Sequence, residues 1–182
     1  MRVACCAIVA ALAGLGISGC SHTYRVPSSS MEPTLHCARP QPFCRGKQDD
    51  RVVVQPVKPA ALRRGDIVVF ETPAKAEQFC GSTGTYIKRV IGLPGETVRE
   101  DAAGFIHVDG RRLREPYIPA ASRRQDAMLH NRSWHVPPAH FLLVGDNRPN
   151  SCDSRIFGAV AAKSIRGVVT TIRRGGREIR VR

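Results

Sequence analysis

After residue 20, no part of this chain sustains the 3.6-residue apolar repeat of an amphipathic helix. It carries instead a series of short runs rich in Val and Ile, each cut off by glycine or proline. Sixteen glycines and thirteen prolines punctuate 182 residues, a pattern of short elements joined by turns. Residues 51–54 (RVVV), 66–71 (DIVVFE) and 85–92 (TYIKRVIG) read as strands, the last closed by Leu93-Pro94-Gly95. Residues 105–108 and 111–113 flank Asp109-Gly110, the favoured two-residue hairpin turn. Further strands are expected at 134–136, 141–144 and 167–172, and a last hairpin around Gly175-Gly176. Residues 37–50, 72–84 and 114–133 read as loops, and 60–64 as one helical turn. The fold class is mainly β, built of short antiparallel strands. Aromatics make up only 5% of the chain, so aliphatic side chains must form the core.

The first twenty residues differ. Seventeen residues from Val3 to Gly19 carry no charge and follow Arg2. That length is near the lower limit for a membrane span and also suits the apolar core of a secretory signal. Ile17-Ser18-Gly19-Cys20 resembles the small-residue pattern before a lipid-modified cysteine. Residues 1–20 are therefore read as an anchor or leader. Residues 21–182 are read as one extracytoplasmic β-domain at a cell membrane. Cys37, Cys44, Cys80 and Cys152 lie in that exported part, an even number that suits disulfides in an oxidising compartment. Cys37 and Cys44 are close enough for a local bridge, which leaves Cys80 to Cys152. A zinc site with His36 is the alternative, though paired C-x-x-C spacing is missing.

The net charge is +13, with seven Lys/Arg and one Glu between Lys163 and Arg182. Such a surface attracts polyanions. No nucleic-acid motif and no basic tract interleaved with aromatics is present. Anionic lipid is the expected polyanionic neighbour, with no nucleic acid as partner.

Ser28-Ser29-Ser30 sits between Pro27 and Met31-Glu32-Pro33. A serine run beside prolines is ordinarily a polar turn. As a nucleophile, a serine needs a base. None of His22, His36, His107, His130, His135 and His140 sits in a recognisable triad motif, and there is no G-x-S-x-G elbow. Lys88 lies in the otherwise apolar strand Tyr86-Ile87-Lys88-Arg89-Val90-Ile91. Isolated lysines on strands are usually solvated. Held on an apolar face, this one would lose its proton more easily and serve a Ser/Lys dyad. A third cluster runs from Gly145 to Arg155, dense in short hydrogen-bonding side chains that suit either a surface loop or a supporting shell.

Four segments together resemble the successive sequence boxes of bacterial type I signal peptidases. They are Ser28-Ser29-Ser30-Met31-Glu32-Pro33-Thr34, Gly65-Asp66-Ile67-Val68-Val69-Phe70, residues 86–96 (YIKRVIGLPGE) and Gly145-Asp146-Asn147-Arg148 with Asn150-Ser151, Asp153-Ser154-Arg155 and Gly158. They occur in the family's order over residues 26–158. The resemblance implies a membrane-bound serine endopeptidase that removes signal peptides from secretory preproteins, with a signal-peptidase-type β-fold. It implies Ser30 as nucleophile and Lys88 as general base. Ser28 and the Ser30 N–H would form the oxyanion hole. Ser151 would hold the lysine amine, and Asp146, Asp153 and Arg155 would support the site. Val26, Pro27, Tyr86 and Ile87 would bind substrate as an extended strand. The chemistry requires no metal or organic cofactor. The chain departs from the family pattern at Pro149, where an acidic residue is common, in the Cys37–Cys44 insertion, and in its single apolar segment. Two other readings are a processing peptidase of the same type with one dedicated, pilin-like substrate, and an inactive peptide-binding relative. Self-cleaving repressor proteases also use Ser/Lys dyads, but the apolar leader argues against them.

Overall fold

The computed structural model describes residues 21–126 and 132–181. The apolar segment at 1–20 lies outside the described residues. Strands β1 (His22–Arg25), β2 (Arg51–Gln55), β3 (Ile67–Glu71) and β4 (Thr85–Gly92) come first. Next are β5 (Thr97–Glu100), β6 (Ile106–Val108), β7 (Arg111–Arg112), β8 (Arg132–His135) and β9 (His140–Val144). The C-terminal strands are β10 (Val160–Ala161), β11 (Ile165–Arg174) and β12 (Arg177–Arg180). Among the described residues three short helices intervene: α1 (Lys75–Cys80), α2 (Ala120–Arg124) and α3 (Ser154–Phe157). The larger sheet runs β1-β2-β11-β3-β4-β9-β10, with β12 also on β11. The smaller runs β7-β6-β5-β8. Every paired strand is antiparallel.

The β-branched runs occupy the centre of the larger sheet. Ile67 to Phe70 of β3 are all buried, as a strand covered on both faces must be. Alternation sorts its neighbours into separate cores. Val68, Phe70 and Val90 pack with Leu143 and Phe157, whereas Ile67 and Val69 pack with Met31, Leu35, Val52 and Val54. A third cluster, including Ile91, Val98, Ile106 and Leu142, joins the smaller sheet to the larger. The two hairpin turns form as their sequences require. Asp109 and Gly110 have φ of 47° and 77°, and Gly175 and Gly176 have 53° and 79°, the left-handed pairs that match strand twist.

The expected loops hold more order than the sequence indicated. Helix α1 lies within 72–84, with Pro73 before it and Gly81 at φ 75° as its C-cap. Its six residues are too short to show an apolar period. Helix α2 likewise lies within 114–133. The turn expected at 60–64 is a 3-10 turn at Pro59–Ala61. Strand β5 was hidden because its inward positions are Val98 and the charged Glu100. Strand β1 was hidden by its polar composition. Among the described residues two disulfides form: Cys37–Cys44, with Cα atoms 4.9 Å apart, and Cys80–Cys152, at 5.8 Å. His36 is not drawn into a metal site; its Nδ1 lies 2.7 Å from Glu32 Oε2. Among the described residues no helix is long and apolar enough to cross a membrane.

Candidate active site

The serine run leaves the end of β1 and turns through a short 3-10 helix at Ser29–Met31. Met31 anchors that turn, 1% exposed in the core under β2 and β3. Asn147 clamps it from the far side: its backbone N–H donates to Ser30 O at 3.1 Å and its side chain to Ser29 O at 3.0 Å. Strand β4 comes alongside because β3 pairs with it from Ile67↔Arg89 to Glu71↔Thr85. Two residues 58 apart in sequence thereby meet. Lys88 Nζ lies 2.7 Å from Ser30 Oγ and 3.0 Å from the Ile87 carbonyl oxygen.

Lys88 is 3% exposed. Burial lowers its pKa to about 8 from the usual 10.5, and the carboxylates of Asp153 and Asp146 only partly oppose this. At pH 7 about a tenth of the amine is thus unprotonated, against well under a thousandth for an ordinary lysine, and this form can accept a proton. Ser28 Oγ lies 3.3 Å from Ser30 Oγ, on the open side of the turn.

The remaining expected residues build the shell. Asp146, 1% exposed, accepts from the Arg89 guanidinium and from the Thr34 hydroxyl. It therefore ties the segment that follows Ser30 to β4 beside Lys88. Asp153 accepts from Gly145 N at 3.0 Å and Arg155 N at 3.1 Å, so it closes the 145–153 loop and caps α3. Burial alone would raise the Asp153 pKa, but the Arg155 charge and the hydrogen bonds hold it below the usual carboxylate value. Arg155 pairs in turn with Asp153 and with Asp126, and lies 3.6 Å from Glu100.

Ser151 differs from its expected place. Its hydroxyl is buried and makes no hydrogen bond to a described residue, though it lies near enough to Asp153 to lower that carboxyl's pKa. The second contact of Lys88 goes to Ile87 O instead. Residues 86 and 87 do line the cleft beside the dyad, as do Val26 and Pro27. This cleft has a volume of about 540 Å³ and is also lined by Tyr24, Met31, Ser82 and Cys152. Thr34, Gly145 and Asn147 lie in the family-like sequence boxes but have no role assigned to them there, and Glu115 is not singled out by the sequence at all. Glu115 binds the buried Arg148 guanidinium from 33 positions away, which no local pattern could reveal. Among the described residues no group of three or more His, Cys, Asp and Glu side chains converges as a metal site.

The chain matches a family model described as signal peptidase, peptidase S26, over residues 2–173. It is 38% identical over 148 residues to a signal peptidase I of Leptolyngbya laminosa, covering 78% of this chain and 63% of that protein. It is 37% identical over 145 residues to a probable signal peptidase I-2 of a Synechocystis strain, covering 78% and 58%. The chain thus spans less than two thirds of these relatives' length. A solved signal peptidase I from Enterococcus faecalis superposes with a TM-score of 0.51 at 31% identity, covering 64% of this chain and all of that one. With residues 2–173 of its 182 matched by the family model, the chain belongs to the signal peptidase family, peptidase S26.

Proposed function

We propose that this chain is a serine endopeptidase that removes N-terminal signal peptides from exported preproteins at the extracytoplasmic face of a membrane, anchored by residues 1–20. The observation that carries the reading is the buried Lys88 amine 2.7 Å from the Ser30 hydroxyl. In this mechanism neutral Lys88 takes the Ser30 proton as Oγ attacks the scissile carbonyl. The resulting ammonium then gives that proton to the leaving amine. Ser28 Oγ and the Ser30 N–H stabilise the tetrahedral oxyanion, each such donor being worth roughly a hundred- to a thousand-fold in rate. Ile87 O orients the amine. Asp146, Asp153 and Arg155 hold the loops rigid, and Ser151 supplies a polar wall beside Gly145.

Substrate would enter as a strand. β9 pairs with β4 only from Arg89 onward, so β4 offers an edge at Thr85–Lys88. Residues 24–27 form the opposite wall of the cleft. Backbone pairing to these edges holds an extended peptide, and the apolar lining by Val26, Ile87 and Tyr86 selects small side chains, as secretory cleavage sites present.

The test is to incubate the purified full chain with a model preprotein and map the cut by mass spectrometry. Cleavage at the signal junction, absent in Ser30→Ala, is expected. An intact preprotein with the native chain would reject the reading. A second variant probes the clamp on the nucleophile. A Cβ at Gly145 would lie 2.1 Å from Ser151 Oγ and 2.5 Å from Ser30 O. Gly145→Ala should therefore shift the Ser30 turn and cut kcat about a hundred-fold, the usual scale for a 1 Å misplacement.

A further inference from the structure

One face of the larger sheet carries a row of like charges. The strand register places Arg25 opposite Arg51, and Arg51 opposite Arg173. All three side chains are exposed. Cations set directly across neighbouring strands repel and cost stability. Arg25 is answered by Asp49 and Arg173 by Glu178. Arg51 between them makes no ion pair with a described residue, and neither does Arg180 one row on.

Beside this row stands the loop closed by Cys37–Cys44. The Asp49 carboxylate accepts from both Arg25 and the Ala38 backbone, so the loop is fastened to the row. Between Cys37 and Gln48 the loop carries Arg39, Arg45 and Lys47 and no acid, and all three cations are exposed. At its tip Phe43 is 63% exposed, the most exposed large apolar side chain among the described residues. Its φ is 63°, a left-handed backbone that a bulky residue avoids. The fold holds an aromatic ring in water, on a strained backbone, in a loop whose charged side chains are all cations.

We propose that this loop and the Arg25–Arg51–Arg173 row form a docking surface for an anionic lipid bilayer. Phe43 enters the headgroup layer, where aromatic rings are favoured, and the guanidinium groups meet the acidic headgroups. The charge-free run 3–19 joins the domain immediately before β1, the strand that bears Arg25. A membrane holding that run thus lies beside the row. The inference rests on the reading that this chain works at a membrane, and it adds which face of the domain lies against it. Because Arg25 also lines the substrate cleft, docking this face holds the cleft mouth at the lipid surface, where an anchored preprotein presents its cleavage site.

The test uses the full chain reconstituted in vesicles of phosphatidylcholine, with or without phosphatidylglycerol, carrying acyl-brominated lipid as quencher. The native chain has one tryptophan, Trp134, so the difference between Phe43→Trp and the parent reports position 43. In anionic vesicles the introduced indole should emit to the blue and be quenched. In neutral vesicles the effect should be weaker. Adding Arg51→Gln or Arg173→Gln should weaken docking about five-fold for each arginine removed. Water-like, unquenched emission in anionic vesicles would overturn the proposal. So would quenching indifferent to lipid charge and to both arginines, or displacement of the indole from lipid by a DNA oligonucleotide. Preprotein cleavage in detergent separates this from the catalytic reading. Cleavage without quenching sinks the docking surface alone. Quenching without cleavage sinks the protease alone.

Discussion

Lys88→Met is expected to lower kcat for preprotein cleavage by about 10⁴-fold or more, the scale on which a serine enzyme fails once a member of its proton-transfer unit is lost. Methionine keeps the unbranched stem and the buried volume but cannot accept a proton. Folding should not suffer. Burying the Lys88 amine lowers its pKa from 10.5 to about 8, so below about pH 8 the folded chain carries the cost of a desolvated ammonium. Stability from this group rises as pH climbs from about 8 to 10.5, opposite to a lysine that gains an acidic partner. Lys88→Met removes that cost at neutral pH. Its Tm in detergent should equal or exceed that of the native chain, and a lower Tm together with the lost activity would point to a structural lysine instead.

Arg155→Met is expected to give the largest loss of stability. Arg155 is 3% exposed and is the cation shared by Asp153, Asp126 and Glu100. All three carboxyl groups are buried. Glu100 Oε2 and Asp126 Oδ1 already lack a hydrogen-bond partner among the described residues. Burial lifts the Glu100 pKa to about 7, with Arg155 opposing the rise. Removing the guanidinium leaves buried anions uncompensated, a change that costs about 3–5 kcal/mol and lowers Tm by roughly 6–20 °C for a domain of this size. Because Asp153 holds Gly145 and caps α3, activity should fall as well. Thermal unfolding of the variant at pH 7 checks the figure, and a Tm within a degree or two of native would show that the network carries little.

The sequence made the central strands legible because each depends on local chemistry, whereas Ser30 and Lys88 are singled out by the family resemblance and meet only through the β3–β4 pairing. Asp109-Gly110 and Gly175-Gly176 encode their turns through backbone freedom. The run Ile67–Glu71 encodes a strand buried on both faces. The spacing of Cys37 and Cys44 encodes a local bridge, which leaves the second pair by elimination. What stayed hidden depends on distant partners. Glu100 breaks the alternation of β5, and only the fold reveals Arg155 opposite it. Arg89 reads as a solvated cation until Asp146 and Thr34 close on it. The lysine's second contact is a main-chain carbonyl, Ile87 O, to which side-chain identity gives no clue. Helix α1 is held by its glycine cap and the Cys80 bridge rather than by an apolar stripe.

In the proposed mechanism catalysis turns on a single titration, that of the ε-amine facing Ser30 Oγ. Measured across about pH 6 to pH 9, kcat/KM for a signal-peptide substrate should climb tenfold per pH unit on the acid side and level off above about 8, where that amine has shed its proton. A profile that is flat over this range, or that levels off near the value of an ordinary histidine at about 6.5, would contradict the Ser30/Lys88 account.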